Sequence, residues 1–270
     1  MKFMFLLCEK GKYRELSYSS CVAEKIAEKV RMLGHDVILV RRPTPEVANE
    51  AIKNYKPDVV WWVGHGDIDK TTLENIELWI STDYNVQILD NVIACALSCF
   101  TGKYLGRYLV ENYNCLAYLG YTTEFWFIWC NEAKYDNCAC TGKNPFGIDE
   151  DLWYKLVICN HEANLYFVLG LAKRMSVRRA KEYSLERFKF WIDYFENVEP
   201  KDKEENAVIR TCIWCLNNNM KATVLYSKIP ELPEAPKVDE IKMMSVPMLF
   251  LALGSLFSYF ACKGGEKVAD

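Results

Sequence analysis

The sequence predicts an α/β fold: a mostly parallel β-sheet flanked by helices, then a helical region and a C-terminal hydrophobic helix. Three observations predict it. Strand-length runs that are apolar throughout recur over roughly the first 120 residues, as expected of strands buried on both faces. Segments with apolar residues at helical spacing alternate with them, the pattern of βαβ units. After Tyr121 the strand-like runs give way to helical periodicity.

Lys2 to Cys8 (KFMFLLC) is the first strand. Ser17 to Leu33 follows as a helix, with Val22, Ala23, Ile26, Ala27, Val30 and Leu33 on one face and Gly34 placed to end it. Asp36 to Val40 is the second strand, and Pro45 opens a shorter helix through Ala48, Ala51 and Tyr55. Asp58 to Val63 (DVVWWV) and Val92 to Leu97 (VIACAL) are strands three and four, with short alternating runs between Leu78 and Ile88 that read as a hairpin. A helix from about Gly102 to Asn112 leads to a fifth strand, Cys115 to Leu119. Residues 124–150, mixing aromatics, cysteines, Gly and Pro, read as a long insertion. Helical spacing returns from Leu152 to Lys173. Ser176 caps a further helix whose stripe is Val177, Ala180, Ser184, Phe188, Trp191 and Phe195, and Lys201 to Asn219 is helical too.

Pro230, Pro233 and Pro236 mark 230–242 as a stiff linker, leaving 1–229 as the folded domain. Met243 to Cys262 contains no charged residue and is bounded by lysines, with a short tail at 263–270. Its length matches the roughly 30 Å hydrocarbon core of a bilayer. It reads as a transmembrane anchor, the alternative being a buried C-terminal helix.

Composition narrows the function classes. The 270 residues are 51% apolar and 26% charged, ordinary for a chain with a real core, and the formal charge is only −3. No basic run suggests a nucleic-acid partner. The first nine residues are too short and too soon charged for a secretory leader, so a cytoplasmic domain held at a membrane by its C-terminus is expected. Reduced thiols are the default there.

In an open parallel sheet, chemistry sits beyond the carboxyl ends of the strands. Strand three runs into Gly64-His65-Gly66-Asp67, and strand four into Ser98-Cys99-Phe100-Thr101-Gly102. Of three histidines, His35 enters a strand at the opposite edge and His161 falls inside a helix. A thiol and an imidazole at matching ends of neighbouring strands form a nucleophile and general acid/base pair. A helix following Cys99 would favour its thiolate, and the glycines beside His65 would admit a substrate backbone.

A strand ending in His-Gly, then one ending in small-Cys-x-Thr-Gly, resembles the caspase-like peptidases of clan CD, a flavodoxin-like α/β group including caspases, metacaspases, separase and gingipains. Leu97 to Gly102 (LSCFTG) is most similar to the CHAT-type signature, with one small residue missing. Cys115 to Tyr121 resembles the next core strand and Lys173 to Ala180 a late helix start, so the likeness spans roughly residues 1 to 200. It implies a thiol protease in which Cys99 attacks a peptide carbonyl, His65 protonates the leaving amine, and the Gly66 and Cys99 amides hold the oxyanion. It also implies that Thr122 to Trp129 lines the substrate pocket, with Glu124, Trp126 and Asp67 as specificity candidates. Where metacaspases and separases place an acid two residues before the cysteine, this chain has Leu97, so substrate preference does not carry over.

The expected partner is a protein or peptide substrate, and no cofactor is expected. A structural zinc on Cys138, Cys140, Cys212 and Cys215 is the alternative, weighed against core packing of the last two. The rival functional class is a caspase-like adaptor without activity.

Overall fold

The computed structural model describes residues 1–8, 16–128, 144 and 146–230. The chain divides into two units, Met1–Glu231 and Leu232–Asp270. Only the first falls among the described residues.

Continuous apolar runs become strands because both their faces are covered. β1 (Lys2–Leu7), β2 (Asp36–Arg41), β3 (Val59–Val63), β7 (Ile93–Leu97) and β8 (Ala117–Tyr121) pair in parallel, and β9 (Thr223–Ser227) closes the sheet antiparallel to β8. The order across this six-stranded sheet is β2-β1-β3-β7-β8-β9. A separate three-stranded antiparallel sheet, β4 (Gly66–Asp67), β5 (Lys70–Thr72) and β6 (Leu78–Ser81), stands between β3 and β7 in the chain.

Period-two alternation sends side chains to opposite faces. Phe3, Phe5, Leu7, Val59, Trp61, Val63, Ile93, Cys95 and Leu97 pack under α1 (Leu16–Met32) and α4 (Glu150–Ala172). Met4, Leu6, Val60, Trp62, Ala94 and Ala96 pack under α2 (Pro45–Tyr55), α3 (Leu105–Asn112) and the small sheet. A further cluster forms where α5 (Val177–Glu196) and α6 (Lys203–Ala222) lie against the first half of α4.

Several boundaries depart from the sequence reading. The expected hairpin within 78–88 is reduced to one antiparallel bridge, Ser81↔Tyr84. Leu78–Ser81 pairs back onto β5, and Val86–Leu89 is a 3-10 turn. α3 begins at Leu105 rather than near Gly102, because residues 99–104 form turns in which Phe100 takes φ +60°. β9 was not expected at all. Ser176 caps α5 as read, accepting from the Arg179 N–H at 3.2 Å, and all six residues of the predicted stripe are buried.

Among the described residues no helix is long and apolar enough to cross a membrane. The candidate span at 243–262, nearly all of the linker and the tail lie outside the described residues, as do 129–143 of the insertion.

Candidate active site

The carboxyl ends of β1, β3, β7 and β8 share one edge of the sheet, and two of them carry the residues of interest. β3 and β7 are in register through Val63↔Leu97, and the Gly64 N–H continues the ladder to the Leu97 carbonyl at 3.2 Å. Two residues beyond the last paired positions stand His65 and Cys99, and Gly66, next to His65, lies against Ser98 and the Cys99 carbonyl. Cys99 packs against the apolar cluster on the α1 and α4 face. Both residues are half-buried.

The two turns interlock. A Cβ at Gly66 would lie 2.3 Å from Ser98 Oγ, 2.4 Å from the Cys99 carbonyl oxygen and 2.7 Å from Thr101 Cγ2. A Cβ at Gly64 would meet the Thr72 carbonyl oxygen at 2.0 Å. The glycines flanking His65 thus make room for the protein's own backbone, not for a substrate as the sequence reading held. On the far side, the Cys99 turn is stitched to β8 and its following loop. The Phe100 N–H donates to the Thr123 carbonyl at 3.0 Å, the Gly102 N–H to the Tyr121 carbonyl at 2.8 Å, and Thr101 Oγ1 to the Ser98 carbonyl at 3.2 Å.

Threonines of β5 hold the histidine turn. The Thr72 N–H donates to the His65 carbonyl at 2.9 Å, and the His65 N–H donates back to Thr72 Oγ1 at 3.2 Å. The Thr71 hydroxyl, fully buried, reaches the same carbonyl at 3.4 Å and contacts Ser98 Oγ at 3.1 Å. Neither threonine was singled out from sequence, since their role depends on the hairpin folding back.

The loop from Thr122 to Ile128 passes beside the thiol. The Phe125 N–H donates to Cys99 Sγ at 3.4 Å. Burial pushes the Cys99 thiol up from its ordinary value, the Phe125 N–H opposes this, and the Glu124 carboxylate adds to it. α3 starts six residues beyond Cys99, and a helix dipole falls off within the first turn, so the expected dipole assistance is not available. Glu124 and Trp126, both exposed, lie on this loop. Asp67 is exposed as well, and its Oδ1 accepts from the Ile68 N–H at 2.7 Å inside its own turn. Of the three specificity candidates, Glu124 is the one whose charge reaches the thiol.

Buried amides pin the loop from below. Asn219 Oδ1 accepts from the Trp126 N–H at 2.9 Å, while its Nδ2 donates to the Trp126 carbonyl at 2.6 Å and to Asn160 Oδ1 at 2.8 Å. Trp126 also meets Trp214 edge-on at 5.5 Å. His161, fully buried in α4, shares a 2.8 Å hydrogen bond with Ser19 and packs its ring on Phe127 at 4.6 Å and Phe125 at 5.8 Å. It lies inside a helix, as the sequence reading placed it. His35 lies at the opposite edge, its Nε2 2.6 Å from the Ala172 carbonyl oxygen.

The other cysteines divide. Cys21 in α1 is disulfide-bonded, which departs from the expectation of reduced thiols, whereas Cys95, Cys99, Cys115, Cys159, Cys212 and Cys215 are free. Cys212 and Cys215 are buried on α6, and Cys212 Sγ lies 3.4 Å from Cys159 Sγ. Cys138 and Cys140 lie outside the described residues. Among the described residues no group of three or more His, Cys, Asp or Glu is placed to hold a metal ion.

Compared with protein-family models and with curated proteins, the chain matches none.

Proposed function

We propose that the chain is a caspase-like cysteine endopeptidase with Cys99 as nucleophile and His65 as general acid and base. The observation that supports the reading is the β3/β7 register: His65 and Cys99 each follow two residues after the last paired positions, Val63 and Leu97, at the sheet edge where α/β enzymes hold their chemistry. The Cys99 sulfur adds to the scissile carbonyl, His65 gives its proton to the departing amine, and a thioester remains on Cys99. Water, deprotonated by His65, then releases the carboxylate and restores the thiol. The main-chain amides of Gly66 and Cys99 take the oxyanion. The loop at 122–128 supplies the pocket, with the Glu124 carboxylate selecting a basic side chain. Residues 243–262 anchor the enzyme to a membrane.

A second reading, a caspase-like adaptor without activity, draws on one observation. The Cys99 thiol is held toward its neutral form, and its sulfur already accepts a hydrogen bond from the Phe125 N–H.

Incubating the full-length chain with a peptide library varied at the residue before the cut separates the two. Cleavage by the wild type that disappears in both Cys99→Ala and His65→Ala is the expected result. A folded wild type that neither cleaves nor reacts at Cys99 with thiol-directed peptide probes supports the adaptor instead.

A further inference from the structure

Two turns that carry chemistry must be held at a fixed separation, and the main sheet holds them only as far as Gly64 and Leu97. Beyond that point the Thr71 hydroxyl links the two turns, alongside the Leu105 N–H, which donates to the Ile68 carbonyl at 2.8 Å. Thr71 Oγ1 is 3.1 Å from Trp62 Nε1, 3.1 Å from Ser98 Oγ and 3.4 Å from the His65 carbonyl oxygen. Thr71 is fully buried and Ser98 nearly so.

An indole N–H is a donor only, so Thr71 Oγ1 accepts from Trp62. The His65 carbonyl also accepts from the Thr72 N–H at 2.9 Å and from Thr72 Oγ1 at 3.2 Å, and either hydroxyl can donate in the Thr71–Ser98 contact. Whichever way the protons point, the Thr71 hydroxyl touches both Ser98, one residue before Cys99, and the carbonyl of His65 itself.

We propose that Thr71 is a positioning residue that sets the separation of His65 and Cys99 through this hydrogen-bond chain. The inference rests on reading those two residues as the catalytic pair. Thr72 fixes the histidine turn to β5, and Thr71 fixes β5 to the cysteine turn. The small sheet β4-β5-β6 acts as the bracket that joins them. Gly66 supports the same arrangement by steric contact, since it admits the cysteine turn at a distance that no side chain allows.

The pH profile of Cys99 alkylation by iodoacetamide, followed by mass spectrometry of the Cys99 peptide in the full-length chain, tests this without requiring a substrate. The charged group acting on the thiol is Glu124 from the loop after β8, His161 of α4 lies behind Phe125, and His65 on the β3 turn is the proposed partner. All are unchanged in the variants at position 71. In His65→Ala the alkylation midpoint is expected to rise by loss of the imidazolium partner. Thr71→Val, which keeps shape and removes the hydroxyl, is expected to rise with it by about one pH unit, or about tenfold slower alkylation near neutrality. Thr71→Ser is expected to restore the wild-type profile within about twofold. A purely structural threonine would lower the melting temperature of Thr71→Val and leave the profile in place. If Thr71→Val does not fold, Ser98→Ala breaks the same chain at its other end and should shift the midpoint in the same direction.

A folded Thr71→Val or Ser98→Ala with the wild-type profile, beside a shifted His65→Ala, overturns the positioning role and leaves the catalytic pair standing. A His65→Ala profile identical to wild type overturns the pair and this inference together.

Discussion

Acid should destabilise this protein through one histidine. His161 is fully buried in α4, packed on Phe125 and Phe127, with Ser19 as its hydrogen-bond partner. Burial lowers its pKa from the ordinary histidine value to about 3, because the apolar surroundings penalise the imidazolium. The unfolded chain therefore takes up a proton at this site at higher pH than the folded one does. Stability from this residue is complete above pH ~6.5 and falls as pH drops toward about 3, by about 1.4 kcal/mol per pH unit. Between about pH 7.5 and 5 the loss is about 2 kcal/mol. Urea unfolding of wild type and of His161→Gln at those two pH values isolates the effect. The wild type should lose about 2 kcal/mol more than the variant across the interval. The same loss in both would refute the reasoning, since the acid sensitivity would then belong to other groups. A related consequence falls on function. His161 supports Phe125, whose N–H touches the Cys99 sulfur, so disorder beginning at His161 should show first as altered reactivity of Cys99.

Further expectations follow from single contacts. Gly66→Ala forces a methyl group into Ser98, Cys99 and Thr101, and should cost about 1–3 kcal/mol, read as a lower melting temperature, together with loss of Cys99 reactivity. Asn219→Ala removes both main-chain bonds to Trp126 and the partner of Asn160. It should cost about 2–4 kcal/mol in urea unfolding and raise protease cleavage within 122–128. Glu124→Gln removes a carboxylate that raises the Cys99 pKa, so the alkylation midpoint of Cys99 should move to lower pH. An unchanged midpoint would mean that this charge is too well solvated to matter.

The parallel strands and most helices were legible because burial on both faces leaves an unbroken apolar run, and helix faces repeat at a spacing that strands do not share. Phe3 to Leu7, Val59 to Val63 and Ile93 to Leu97 needed nothing beyond that rule. β4 and β5 escaped it. Gly66-Asp67 and Lys70-Thr71-Thr72 are too short and polar to show alternation, and what makes them strands is contact with each other and with β6. The start of α3 was misplaced for a similar reason: Phe100 in the left-handed region extends the turn, and that preference is not written in a phenylalanine. β9 left a readable signal, the β-branched and aromatic Thr223-Val224-Leu225-Tyr226, overlooked at the foot of a long helix.

The same division runs through the site. His65 and Cys99 could be found because strand ends are where an open sheet exposes its residues, and counting along two apolar runs reaches both. Thr71, Asn219 and His161 could not, since each acts across a fold-back or from an element 93 or more residues away from its partner, or from a helix interior. What the sequence makes visible is the proposed pair; what braces the two turns that carry it is a small sheet built from residues with weak intrinsic preferences. That arrangement has a mechanical consequence. The main sheet is secured by two apolar faces, whereas the described links between the two turns are single contacts, among them the Thr71 hydroxyl, the Leu105 N–H to the Ile68 carbonyl and the close approach at Gly66, each contributing a few kcal/mol at most. Substitutions in β4 and β5 should therefore disturb Cys99 reactivity well before they disturb the fold, and those in β1, β3 or β7 should do the reverse.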